Sequence, residues 1–326
     1  MSKFAMERCT PLHMRMCSGS KLGGYGVKSQ VKIGQYQRTK HRWGRVFVLP
    51  ACLFVVVVMF IPIIAVFLLS LTSWNGFSGG DFVGLANFQS ILANEDFWTV
   101  IKNNVTFMLV GAPLWTVTPL IVAVLMYEEI KGFKFFRAAF LLPSVLAASV
   151  IGAMFTSLFS LNGPVNTILK GIGLEGMALN WFGSASTSIP MLIHMVNWAG
   201  FGSAMLIILS GMSSIDASVY DSALIDGAGW WTRLIKITLP MLYDIVFFVF
   251  TLNIISSFTA MFAYIFVTTK GGPGYSTNVI EYFIYLKAFT TNEFGYACAL
   301  SVLLFLFVFA VSSIVMALKK RFDPNE

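Results

Sequence analysis

Uncharged, apolar residues fill six stretches of the chain, 46–72, 105–127, 138–160, 188–211, 245–269 and 294–318, and polar residues gather between them. A helix needs about 20 such residues to cross a hydrocarbon core. Each stretch is long enough, so the pattern predicts an all-α, polytopic transmembrane bundle of six spans. The longest polar-rich interruption in the C-terminal half is the loop 213–240. Ser213-Ser214-Ile215-Asp216 has the Ser-x-x-Asp form of a capping box. Ile215, Val219 and Ala223 then recur every four residues, with Asp216, Asp221, Ser222 and Asp226 on the other sides. Gly227 and Gly229 break this short helix, a second one follows, and Pro240 is expected in the first turn of the next apolar segment. The prediction is an amphipathic helix, a glycine elbow and a second short helix beneath a membrane domain.

Composition agrees. Of 326 residues, 57% are hydrophobic and 11% charged, far from the averages of soluble domains. Lys and Arg set the orientation. Eighteen of the 22 lie on one side: ten in residues 1–45, then Lys131, Lys134, Arg137, Arg233, Lys236, Lys319, Lys320 and Arg321. The other side has Lys102, Lys170, Lys270 and Lys287. Both termini and the Asp221 loop are therefore expected in the cytoplasm. This asymmetry accounts for the net charge of +7, so no nucleic-acid partner is inferred.

Residues 1–45 lack apolar periodicity and are expected to be a disordered cytoplasmic tail. The first apolar run is too long for a cleavable signal peptide, and Met14 and Met16 leave a later start open. Residues 319–326 form the second cytoplasmic tail. Cys9 and Cys17 fall in the tail, and Cys52 and Cys298 within spans, with no metal-ligand spacing. Gly171, Gly173 and Gly176 form a G-x-G-x-x-G that follows an apolar span instead of a strand, so a flexible outer loop is expected there.

The six stretches contain no Asp, Glu, Lys or Arg, whereas ion-coupled transporters keep an ionisable group at mid-membrane. Their polar content is neutral or aromatic: His194, Asn197 and Trp198, then Asn253, Ser256, Ser257, Thr259 and Tyr264. Amides bond hydroxyls and flat rings stack on sugar rings, so this set suits an uncharged, hydroxylated solute. Asn253 and Ser257 are four apart and are expected to share a face that lines the path, with Ser256 adjacent; such groups also bond neighbouring helices. No Gly-Lys-Ser/Thr phosphate loop occurs, as Gly26-Val27-Lys28-Ser29 lacks the Gly-Lys pair. No enzymatic activity and no cofactor is expected on this chain.

Asp221-Ser222-Ala223, three residues, Gly227, nine residues, Ile237, one residue and Leu239-Pro240 resembles the Glu-Ala-Ala loop of the permease subunits of binding-protein-dependent ABC importers. Asp221 stands where that family has Glu, and Ser222 where it has Ala. The resemblance implies that this loop, with Asp221, Ser222, Ala223, Asp226, Gly227, Ile237, Leu239 and Pro240, is the coupling helix that docks on a cytoplasmic ATPase subunit. Phe82–Phe88, leading to Asn103-Asn104, resembles the region after the first helix of sugar-type importer permeases, and Lys270–Gly274 with Glu281, Tyr285, Ala288-Phe289 and Phe294–Ser301 resembles the end of the first permease subunit of carbohydrate importers of the maltose and glycerol-3-phosphate type. The likeness runs from about 46 to 318. It implies a multi-pass permease of a bacterial or archaeal inner membrane. The implied partners are a second homologous permease, cytoplasmic ATPase subunits and an extracytoplasmic solute-binding protein. The solute would be an oligosaccharide, monosaccharide, polyol or glycerol phosphate. The candidate path residues, taken from their own polarity and not from the family, are Asn197, Trp198, Asn253, Ser256, Ser257 and Tyr264. Alternatives are a permease for another solute class, an ion-coupled secondary transporter, and a membrane scaffold or embedded enzyme. For the last, His194 has no carboxylate or cysteine nearby to form a catalytic set.

Overall fold

In the computed structural model, residues 47–77, 79–127 and 132–322 are described. The tail 1–45, Lys131 and the last four residues lie outside them. The chain falls into two compact units, Met1–Ile61 and Pro62–Glu326. In the first, residues 47–61 are helical and exposed on every side, as suits an apolar helix in lipid; with the residues to Leu69 they form α1 (Phe47–Leu69). Among the described residues the remaining regular structure is also helical, apart from one isolated bridge between Thr72 and Phe82.

The second unit continues with α2 (Ala86–Leu92) and α3 (Glu95–Tyr127). α3 starts at Glu95 instead of 105 because Asn94 caps it, accepting from the Asp96 amide at 2.8 Å, with Glu95 and Asp96 in the first turn. Its early turns are amphipathic, burying Phe97, Val100, Asn103 and Asn104. The expected single span 138–160 is instead α4 (Phe133–Val145) and α5 (Ala148–Leu158), at 100° to each other. Leu146 and Ala147 are extended between them, and Pro143, in the last turn of α4, has no N–H with which to hold that turn.

After α6 (Pro164–Gly171) comes α7 (Ala185–Met212), close to the predicted 188–211. The loop holds α8 (Ala217–Ile225) and α9 (Trp230–Met241), and α10 (Tyr243–Thr259) leaves α9 at 65°. The predicted span 245–269 is likewise broken: α10 stops at Thr259 and α11 (Phe262–Val267) follows Ala260 and Met261. α12 (Ile280–Tyr285) runs on through a π turn, Leu286–Thr290, and α13 (Phe294–Phe322) ends the described chain. Among the described residues, four helices are long and apolar enough to cross a membrane, or up to six spans if each bent pair is one.

Helices in lipid associate by close packing and hydrogen bonds more than by hydrophobicity. α7 packs between α3 and α4. At Gly202 a side chain would overlap the Phe140 carbonyl oxygen, so α4 and α7 touch there backbone to backbone. The Trp115 indole donates to the Ile193 carbonyl at 2.9 Å, joining α3 to α7. Three apolar clusters fill the unit: one around Trp115, Leu192 and Ile265, one around Val124, Met205 and Leu242, and one around Phe97, Phe283 and Leu300. Lys319 meets Asp244 at 2.6 Å, bringing the end of α13 to the start of α10.

Candidate functional site

Two places carry the residues picked out from sequence. The first is α8 and its surroundings. The cap of α8 is Asp216 and not Ser213: the Asp216 carboxylate accepts from the Ser218 amide at 2.9 Å, and Ser213 and Ser214 still bond back to the preceding helix. The Ser218 amide and hydroxyl hold the Asp216 carboxyl below its ordinary range. The other end closes as a Schellman motif, with the Gly227 amide on the Leu224 carbonyl at 3.0 Å and the Ala228 amide on the Ala223 carbonyl at 2.9 Å. Gly227 has φ +76°, which costs an L residue about 1–2 kcal/mol, while its Cβ would meet nothing. Gly229 has an ordinary φ of −67° and only precedes α9.

One side of α8 faces the protein. Ala223 is buried, and the Tyr220 hydroxyl lies 3.1 Å from that of Thr238. The other side is bare. Asp221, Ser222 and Asp226 are exposed, beside Leu224, Ile225 (87% exposed), Trp231 and Ile235. Ile237 and Leu239 are half-buried in α9 and its π turn. Pro240 lies in the last turn of α9 before the bend at Leu242, not in the first turn of α10. Between α8 and the membrane helices is a cavity of about 250 Å³ lined by Tyr127, Tyr220, Asp221 and Arg233, and the Arg233 Nε is buried in the protein without a protein partner.

The second place is a half-open groove of about 280 Å³ between α3, α7 and α10. Asn197, Asn253, Ser256 and Tyr264 line it together, with Trp115 and Ser203, and no charged residue is among its lining. The Asn253 amide donates to the Thr116 hydroxyl, and the Thr118 hydroxyl to the Asn197 side-chain oxygen, both at 3.0 Å. Each amide keeps unused capacity, the Nδ2 of Asn197 and the Oδ1 of Asn253. Two candidates do not join them. Ser257 is fully buried and its hydroxyl bonds the Ile254 carbonyl at 2.6 Å, so Ser256 and not Ser257 shares the groove with Asn253. Trp198 packs its ring on Phe155 at 5.6 Å, outside the lining, and His194 is exposed elsewhere on α7.

Residues not singled out for the path complete this region. Trp115 sets one wall and the buried Thr116 holds Asn253 from behind it, and their sequence signal was only an aromatic-hydroxyl pair in an apolar run. Asn104 donates to the Ser257 carbonyl at 2.8 Å and accepts from the Ile280 amide at 2.9 Å. Among the described residues no group of His, Cys, Asp and Glu is placed to hold a metal.

Comparison with known proteins places this architecture. Two solved chains share the fold: a bacterial ABC transporter involved in the import of the acidic polysaccharide alginate (TM-score 0.77, 21% identity, 88% of this chain and 99% of that one), and a bacterial alginate ABC transporter in complex with alginate pentasaccharide-bound periplasmic protein (TM-score 0.78, 21% identity, 89% and 98%). Among curated proteins, the probable ABC transporter permease YesP of Bacillus subtilis is 34% identical over 74% of this chain and 78% of its own length. The multiple sugar-binding transport system permease MsmF of Streptococcus mutans is 29% identical over 86% and 96%. The lactose transport system permease LacF of Rhizobium radiobacter is 30% identical over 82% and 91%. Residues 103–325 match the family described as binding-protein-dependent transport system inner membrane component. The chain belongs to that family, the ABC transporter permeases.

Proposed function

We propose that the chain is the permease of a carbohydrate importer and that it passes a sugar-like solute along the groove of Asn197, Asn253, Ser256 and Tyr264. That groove is the observation that carries the proposal. It joins amides, a hydroxyl and aromatic rings with no fixed charge among its lining, which suits a neutral polyhydroxylated molecule better than an ion. The names of MsmF and LacF support the sugar class. Residues 46–318 would be the permease domain, with six spans made by counting each bent helix pair once, and with 1–45 and 319–326 as cytoplasmic tails.

In this account α8 is the coupling helix. Its bare face of Asp221, Leu224, Ile225 and Asp226 offers carboxylates and apolar side chains to a separate ATPase subunit, which hydrolyses the ATP. A second homologous permease completes the path, and a solute-binding protein docks outside. No cofactor is assigned to this chain.

The test is uptake by the reconstituted complex of permeases, ATPase subunits and binding protein. It would be run with labelled lactose, maltotriose, sorbitol and glycerol 3-phosphate, and with a tripeptide for comparison. ATP-dependent, saturable uptake of at least one carbohydrate or polyol is expected. Uptake of the peptide alone, or uptake driven by an ion gradient without ATP, would contradict the proposal.

A further inference from the structure

A chain that breaks its helix inside a membrane must satisfy the freed backbone groups from within the protein. Between α10 and α11 the break falls at Ala260 and Met261, and Ala260, Met261 and Tyr264 line the groove. Two side chains from other elements hold it. Asn104, on α3, binds the Ser257 carbonyl ahead of the break. Glu281, in the first turn of α12, accepts the Met261 amide on Oε2 at 3.1 Å, and the neighbouring Phe262 amide also favours its ionised form. The same Asn104 receives the Ile280 amide, fixing the backbone one residue before Glu281.

We propose that Glu281 is a positioning residue for the groove: its ionised carboxylate fixes the α10–α11 break, and its protonation loosens the wall formed by Ala260, Met261 and Tyr264. The proposal rests on the groove being the solute path. An ionised carboxylate is acceptor-only and can serve both amides; a protonated one gives up part of that capacity to an O–H. The carboxyl lies between the last two spans, and burial pushes it up to about 7 against the pull of the two amides. The packed elements carry Glu95, Asp96, Lys102 and Tyr127 on α3, Tyr243 and Asp244 on α10, Tyr264 on α11, and Tyr296, Cys298, Lys319, Lys320 and Arg321 on α13. None of these is among the influences on the Glu281 carboxyl, and Lys287, beyond α12, pairs with Glu293 at 3.0 Å. The group therefore titrates near neutral pH without a counter-charge.

The test needs no solute. In full-length chain lacking its native cysteines, Ser256→Cys reports the groove and Ile225→Cys gives a reference on exposed α8. Both are alkylated in membranes with N-ethylmaleimide, a permeant reagent, across the neutral range. With Glu281 present, the Ser256→Cys rate relative to the reference should change by about threefold or more as one amide bond is lost, with a midpoint near 7. With Glu281→Gln, which keeps an acceptor and cannot ionise, the ratio should be flat. The same pH profile in both chains overturns the proposal. Should Glu281→Gln fail to reach the membrane, the Glu281 profile decides alone, and a flat one overturns it. Failure of sugar uptake would not move this labelling result, nor a negative labelling result the sugar assignment.

Discussion

The hydroxyl of Tyr220 on α8 lies 3.1 Å from that of Thr238 on α9, and this pair ties the exposed helix to the segment that bends into α10. Under the proposed coupling, a push on α8 would reach α10 through α9. Tyr220→Phe and Thr238→Val each remove the bond, worth about 0.5–1.5 kcal/mol. Each is expected to lower the sugar taken up per ATP hydrolysed while leaving assembly with the ATPase intact. The ratio of uptake to hydrolysis in proteoliposomes checks this, and an unchanged ratio in both variants would remove the bond from the coupling route.

The groove separates two adjacent serines. Asn253→Ala and Ser256→Ala should weaken half-saturation for the solute about two- to tenfold, the range of one lost hydrogen bond. Ser257→Ala, whose hydroxyl is spent on the Ile254 carbonyl, should leave it unchanged. Uptake kinetics of the three variants decide, and an effect confined to Ser257 would reverse the assignment of the face.

Close packing of α4 on α7 depends on Gly202. Gly202→Ala drives a methyl into the Phe140 carbonyl, and overpacking of this kind costs about 1–3 kcal/mol. Gly200→Ala, where a Cβ meets nothing, should be far milder for stability. Melting of the two variants in detergent provides the comparison.

Glu281 also sets a pH dependence of stability. Its folded-state value is raised from 4.5 to about 7, so the folded chain holds a proton that the unfolded chain releases. Stability from this group is fully present below about 4.5 and is lost as pH rises to about 7, because burying the ionised carboxylate costs the fold more than its amide contacts at the break return. Glu281→Gln should remove that slope, as unfolding at pH values on either side of the window would show.

Much of this was legible in the chain. Six uncharged runs gave the helical membrane bundle, because hydrocarbon thickness sets the length of such runs. Gly227 was legible as a helix end, since few other residues accept its φ. Other features depend on contacts that spacing does not reveal. Lys102, Asn103 and Asn104 interrupt the hydropathy of α3, yet they lie within one helix capped by Asn94. The breaks at Leu146–Ala147 and Ala260–Met261 sit inside apolar runs, and at the second, Glu281 and Asn104 reach in from distant sequence. Ser213 fits a cap by pattern, but α7 continues to Met212 and the cap of α8 falls to Asp216. Ser256 and Ser257 differ by one helical step of rotation, too little for periodicity to decide.

The proposed coupling requires that α8 meet the ATPase. Ile225→Cys, at the bare tip of α8, should form a cross-link of short span to the ATPase subunit in the assembled importer, and ATP should change its yield. A cysteine there that stays freely alkylated in the complete complex, or that an impermeant reagent reaches from outside intact cells, would contradict it.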